Sequence, residues 1–298
     1  MPRCGRSRSS MNRVRERTIL WFSDEECRNV SLAGGKGASL ARMASEGLPV
    51  PPGFVIPSWV LESSVDKERI LELARARDHA GLEATVREAE PPREEISAAY
   101  RRLTGRRTTA TYKRIGDGRV AVRSSACAED SEAASYAGQQ ETYLNVEGEA
   151  EVCERVVDCW ASFFSERALF YRQQKGSLED LRMAVVVQRM VQPEKSGVLF
   201  TTDPVKRRRD RMVVESVFGL GEQVVSGEVT PDHYVLDRSG ALKREKVVGE
   251  RVLGEEELRR LAGLGRHLEE RAGAPQDIEW AISGGELYLL QCRPVTTL

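Results

Sequence analysis

The stretch that most constrains this chain is its last, QDIEWAISGGELYLLQCRPVTTL, in which two runs of alternating apolar and polar residues flank a glycine pair. Alternation with a period of two marks a strand with one covered face, and glycines between two such runs join them as an antiparallel hairpin. In the first run Ile278, Trp280 and Ile282 share one face, and Asp277 and Glu279 share the other. In the second, Tyr288, Leu290 and Cys292 alternate with Leu289, Gln291 and Arg293. Setting the two aromatic-bearing faces together requires an odd loop, Gly284-Gly285-Glu286, and places Glu279 opposite Gln291 with Arg293 two residues on. A two-residue Gly-Gly turn would put them on opposite faces. One carboxylate and one amide carbonyl form a hard-cation site at which magnesium keeps waters or phosphate oxygens as its other ligands, beside an arginine fork suited to phosphate. The bland alternative is a solvent-facing hairpin edge with a surface ion pair.

Two further segments carry candidate chemistry. AGGKGASL departs from the P-loop pattern, because Gly37 stands where a metal-holding Ser or Thr is required. Gly34, Gly35 and Gly37 nevertheless let the backbone approach an anion, and the helix that follows presents unpaired N–H groups beside Lys36. In VAVRSSACAEDSEAASYAGQQETYLNV, Arg123 lies near the end of a strand, and the small-residue loop after it suits either a flap over phosphates or an ordinary surface loop.

The rest bounds the fold class. The chain has 298 residues, of which 40% are hydrophobic and 31% charged, enough for one large or two modest domains with real cores. The net charge of −1 gives no global field that would favour nucleic acid or a membrane surface, and no apolar run approaches the roughly 20 residues needed to span a bilayer. Six cysteines without a CxxC pair read as reduced thiols of a cytoplasmic protein. Residues 1–17 read as a disordered tail, with Met11 an alternative start, and KRRRDR (206–211) as a solvated loop. GKGASLARMASEG predicts a short helix ended by Gly47, LPVPPGFVIPSWV an extended edge segment, and residues 62 to about 115 mostly helix. Val152, Val156, Trp160, Phe163, Phe164 and Phe170 predict one long helix over 149–174 with its aromatics in the core. Strands dominate from 183 to 237, a helix covers 255–272, and the hairpin closes an α+β chain of two lobes.

Taken in order, GGKGASLARMASEGLPVPPGFVI, VAVRSSACAEDSEAASYAGQQETYLNV, AVVVQRMV, SGVLFTTDPV, GLGEQVVSGEVTPDHYVLD and DIEWAISGGELYLLQCRPVT resemble the N-terminal ATP-binding domain of the phosphoenolpyruvate synthase, pyruvate phosphate dikinase and rifampin phosphotransferase family, from about residue 20 to 297. The resemblance implies an ATP-grasp fold whose lobes, about 18–185 and 186–298, clamp ATP and magnesium. By the match, Lys36 and Arg123 are the basic pair on the phosphates, and Gly138, Thr142 and Tyr143 the closing flap. Gln188, with Met190, would lie on the strand that contacts adenine; Glu279 and Gln291 would be the metal ligands and Arg293 the phosphate clamp. It also implies transfer of the β-phosphoryl group to a histidine, leaving AMP and phosphate, and then to a small-molecule acceptor. His79, His233 and His267 lie in no loop like the family's carrier motif, so the expected carrier is a separate domain or polypeptide, and the chain ends five residues after Arg293. The rivals are a stand-alone ATP-grasp ligase or kinase acting on a small substrate, and a module that binds ATP without turnover.

Overall fold

A computed structural model describes residues 17–105, 115–127, 141–166, 168–170, 181–221 and 229–295, so Gly138 lies outside the described residues. The α+β chain divides into two compact units, one within 1–45, 52–107 and 117–190, the other holding 46–51 and 191–298.

The first unit is built on a five-stranded sheet of β1 (Leu20–Trp21), β2 (Gly53–Ile56), β3 (Ile115–Ala126), β4 (Thr142–Val146) and β5 (Met183–Val191), in the order β1-β2-β5-β3-β4. Its helices are α1 (Val30–Ser45), α2 (Ser58–Ser64), α3 (Lys67–Ala76), α4 (His79–Arg87), α5 (Arg93–Gly105) and α6 (Glu149–Ser162). Phe54, Ile56, Val120, Val122, Val146, Val185 and Val187 turn one sheet face into a core that Ile70, Leu82, Ile96 and Trp160 complete from α3 to α6. The other face carries α1, close enough that a Cβ on Gly37 would lie 3.0 Å from Val55 Cγ2 and 3.5 Å from Val186 Cγ2.

Two expectations change here. The proline-flanked GFVI segment is an inner strand, because Pro51, Pro52 and Pro57 lie just outside the four residues that pair with β1 and β5. The helix expected to reach residue 174 ends at Ser162. Its last N–H groups switch to i−3 carbonyls (Phe163 to Trp160, Phe164 to Ala161), and the Ser162 hydroxyl occupies the Cys159 carbonyl at 2.7 Å. Trp160, Phe163 and Phe164 are buried as expected, whereas Phe170 is exposed.

The second unit is a six-stranded sheet of β6 (Lys195–Phe200), β7 (Arg211–Phe218), β8 (Asp232–Asp237), β9 (Leu242–Lys246), β10 (Gln276–Ser283) and β11 (Glu286–Pro294), with helix α7 (Glu255–Ala272). Its order is β11-β10-β6-β7-β8-β9, antiparallel throughout. Leu199, Val214, Tyr234, Leu236, Ile278, Trp280 and Leu289 are fully enclosed. Helix α7 closes over Leu199, where a Cβ on Gly265 would sit 2.8 Å from its Cδ2. Arg238 ties sheet to helix, donating to the Thr201 carbonyl and to Glu269, each at 2.7 Å, and Arg260 reaches the Gly285 carbonyl in the hairpin turn at 3.0 Å.

Gly197 stands opposite Trp280 in β6, and a Cβ there would lie 1.9 Å from the Glu215 carbonyl oxygen, a backbone atom held in the ladder. Gly197→Ala should therefore lower stability by about 1–3 kcal/mol, the usual range for overpacking. Urea unfolding followed by tryptophan fluorescence checks this, and an unchanged midpoint would refute it.

Candidate functional site

In the first unit the sequence breaks its helix where the candidate lysine begins. Gly34 adopts φ +68°, which separates a turn over 30–33, capped by the Asn29 side chain on Ser31 N, from the helix proper. A Cβ at Gly34 would meet the Ser125 carbonyl oxygen at 2.2 Å, so glycine is needed to bring this corner against the end of β3. Gly37 serves helix–sheet contact rather than anion approach, and Gly35 is the half-exposed glycine of the three. Ser125 Oγ donates to the Ala33 carbonyl at 2.9 Å and accepts from Gly37 N at 3.2 Å, fastening loop to strand. Lys36 is buried and its Nζ donates to the Ser124 carbonyl at 3.0 Å.

Arg123 is the residue before Ser124 and is also buried. Strand alternation turns it away from Val122 and the core, to the α1 face, and turns Gln188 and Met190 of β5 to that same face, away from Val185 and Val187. Lys36, Arg123, Gln188 and Met190 thus belong to one face of one sheet. Of the expected flap residues, Thr142 pairs with Arg123, whereas Tyr143 pairs with Val122 and packs against the core. The Arg155 guanidinium lies 5.0 Å from the Tyr143 ring centre, and burial pushes the phenol up to about 12.

In the second unit the hairpin reaches the expected pairing by a different route. The turn is Gly284-Gly285 alone, both at positive φ (59° and 80°), with Ser283 opposite Glu286. The odd residue sits in the strand instead. Trp280 pairs with Leu289 but Glu279 pairs with Gln291, so Leu290 is a β-bulge. From the bulge onward Gln291 and Arg293 face with Glu279 and Asp277. The expected three-residue loop is corrected, and so is the expected core face: Leu289 lies with Trp280, while Tyr288 clusters with Ala281, Val191 and Leu290 on the Glu279 side. Gln291 is buried and Glu279 half-buried. Arg293 Nε donates to Asp277 Oδ2 at 2.9 Å. Desolvation raises the Asp277 carboxyl above its ordinary range, with the Arg293 charge opposing that rise.

A comparison with protein-family models matches residues 30–252 and 238–298 to the pyruvate phosphate dikinase, AMP/ATP-binding domain. The chain belongs to this family. Members of the wider group similar to this dikinase-type domain include a probable phosphoenolpyruvate synthase of Archaeoglobus fulgidus, 43% identical, covering 94% of this chain and 42% of that protein. The phosphoenolpyruvate synthase of Pyrococcus furiosus is 34% identical, covering 95% of this chain and 44% of its own length. A rifampicin phosphotransferase of Streptomyces sviceus is 39% identical, covering 97% and 37% respectively. The chain spans less than half the length of these relatives. No helix among the described residues is long and apolar enough to cross a membrane.

The placement of Tyr143 is open to a direct check. A phenol in an open flap titrates near 10, whereas this half-buried one should ionise near 12. The neutral phenol's contribution to stability is then full below about 10 and is lost as pH rises through about 12. Difference titration at the tyrosinate band, wild type minus Tyr143→Phe, should show the missing step at the higher pH. A step near 10 would place the ring outside the core.

Proposed function

We propose that this chain is the nucleotide-binding half of a dikinase-type phosphotransferase: it binds ATP with magnesium and delivers the β-phosphoryl group to a histidine, with release of AMP and phosphate. The observation that carries the reading is the bulge at Leu290, which sets a carboxylate and an amide opposite one another, with an arginine–aspartate pair beside them. The oxygens of Glu279 and Gln291 suit magnesium, a hard cation that takes oxygen ligands and retains waters or phosphate oxygens. Bound Mg-ATP supplies the electrophilic phosphorus and the cation that offsets its negative charge.

The chain's own residues bind and orient. Lys36 and Arg123, held in place by the Ser124–Ser125 corner, meet the phosphates with charges fixed before the nucleotide arrives, which is how such groups favour a transition state. Gln188 and Met190 take the adenine, Thr142 belongs to the flap, and Arg293, its plane set by Asp277, clamps a phosphate. Of the histidines, His233 is a strand residue whose Nδ1 lies 3.4 Å from Glu215 Oε1, and His79 and His267 lie on helices. We place the acceptor histidine on a further domain, in the same polypeptide or another, and the protein in the cytoplasm, where the free thiols of Cys27, Cys127, Cys153, Cys159 and Cys292 stay reduced.

Calorimetric titration with ATP should show binding that weakens sharply when magnesium is chelated; no binding at millimolar nucleotide would sink the reading. In a reconstituted system with a histidine-bearing domain and β-labelled ATP, AMP and an acid-labile, alkali-stable phosphoprotein should form. Lys36→Ala and Arg123→Ala should each lower turnover roughly 100–1000-fold with the fold intact. Arg123→Lys should restore only part of the loss, since a point charge does not copy the planar fork. Deleting Leu290 keeps the turn but removes the bulge, and should cost metal-dependent binding as severely as Glu279→Gln. Retained metal dependence after the deletion would show that the register is not what assembles the site.

A further inference from the structure

We infer that the turn over Asp203–Arg208 is a docking knob for an acidic protein surface that carries an apolar side chain among its carboxylates. Residues 203–211 hold five cations and two carboxylates, a net of +3 in a chain whose total is −1. Asp210 neutralises two of the cations, taking Arg208 through both Nε (3.0 Å) and Nη2 (2.8 Å) and Arg211 at 3.4 Å. Lys206, Arg207 and Arg209 are exposed and have no ion-pair partner among the described residues.

The turn is also built, not merely solvated. Asp203 and Arg208 exchange backbone hydrogen bonds at 3.0 and 3.2 Å. The buried Asp203 carboxylate accepts from Val205 N at 3.1 Å and Lys206 N at 2.9 Å, and Thr202 Oγ1 donates to the Arg208 carbonyl at 3.1 Å. A turn whose backbone is so ordered loses little further backbone freedom on binding, although its long cationic side chains must still be ordered. At its tip Arg207 sits at φ +54°, a left-handed conformation in which a glycine would be relaxed and a side chain is strained. A long cation kept at a position that disfavours any side chain points to use of that side chain. Beside it Val205 is 89% exposed. One exposed valine is ordinary, but here it is flanked by unneutralised cations, and the combination matches carboxylates around an apolar residue.

Nucleic acid fits less well. The chain supplies no long-range positive field, the patch is a single turn rather than a stripe along a backbone, and the turn offers no aromatic ring for a base to stack on.

The test uses a labelled synthetic peptide of glutamates interrupted by leucines, followed by fluorescence anisotropy at low and raised salt, with duplex DNA and anionic phosphatidylserine vesicles as competing probes. The peptide should bind at low salt and weaken as salt rises. Substituting Lys206, Arg207 and Arg209 together by Ser should weaken it roughly tenfold or more. Val205→Ser should weaken it roughly threefold with the salt dependence unchanged. Arg207→Gly should weaken binding while the melting temperature holds or rises, a pairing that a merely structural arginine would not give. Undiminished peptide binding by the triple variant, tighter binding of DNA or vesicles, no peptide binding at low salt, or a lower melting temperature for Arg207→Gly would each overturn the proposal.

Discussion

Leu290 is one residue more than its strand pairing can use, and the sheet accommodates it by letting Glu279 and Trp280 span a gap of two on the partner strand. Because successive side chains alternate in direction, one unpaired residue reverses the face of everything after it. Without it, the two-residue turn would send Gln291 and Arg293 to the side of Trp280 and Ile278, into a core where an amide and a guanidinium would need partners they could not find. With it, both emerge beside Glu279 and Asp277. The bulge therefore satisfies the apolar core and the polar face at once, and the hairpin's composition makes sense only with both.

The first unit meets a similar conflict by other means. Lys36 and Arg123 are cations with little exposure, and burying a charge is unfavourable unless it is paired and hydrogen-bonded. The Ser124 carbonyl gives Lys36 an acceptor at 3.0 Å. A chain selected for stability alone would have apolar residues there. The glycine corner at Gly34 lets Lys36 reach the strand that carries Arg123, so the two cations are held on one sheet face.

Much of this was legible in the sequence because period and punctuation coincide. The helix over 255–272, the strands from 183 to 237 and the break after Gly47 follow from alternation, helical spacing and glycine placement. Pairing of Glu279 with Gln291 was also legible, but for the wrong reason: face-matching required an odd residue, and no local rule says whether a turn or a strand absorbs it. Thr142 and Tyr143 are adjacent in sequence but lie on opposite faces of the strand, Tyr143 on the side that packs against the core. The early end of the helix at Ser162 was hidden because Trp160, Phe163 and Phe164 keep helical spacing through a tightened turn that buries them equally well. Helix Arg93–Gly105 and its neighbours read correctly as helices yet carry no functional signal, because their periodicity reports only a core.

Asp277 shows why the polar face cannot be read as a list of ligands. Its carboxyl is pushed up by burial, so ionising it opposes folding: the stability it contributes is full at acidic pH and is lost as pH rises through its raised value. The chain therefore keeps at this position a carboxyl whose ionisation its surroundings disfavour. What it obtains is a fixed partner for Arg293 at 2.9 Å, on the side of the guanidinium that sets its plane. An arginine held this way presents its charge in one orientation and loses little further freedom when an anion binds, whereas a loose surface arginine would have to be ordered each time. Ion pairs at exposed positions contribute little to stability, and this pair, with Arg293 exposed and Asp277 half-buried, is better understood as orientation than as glue.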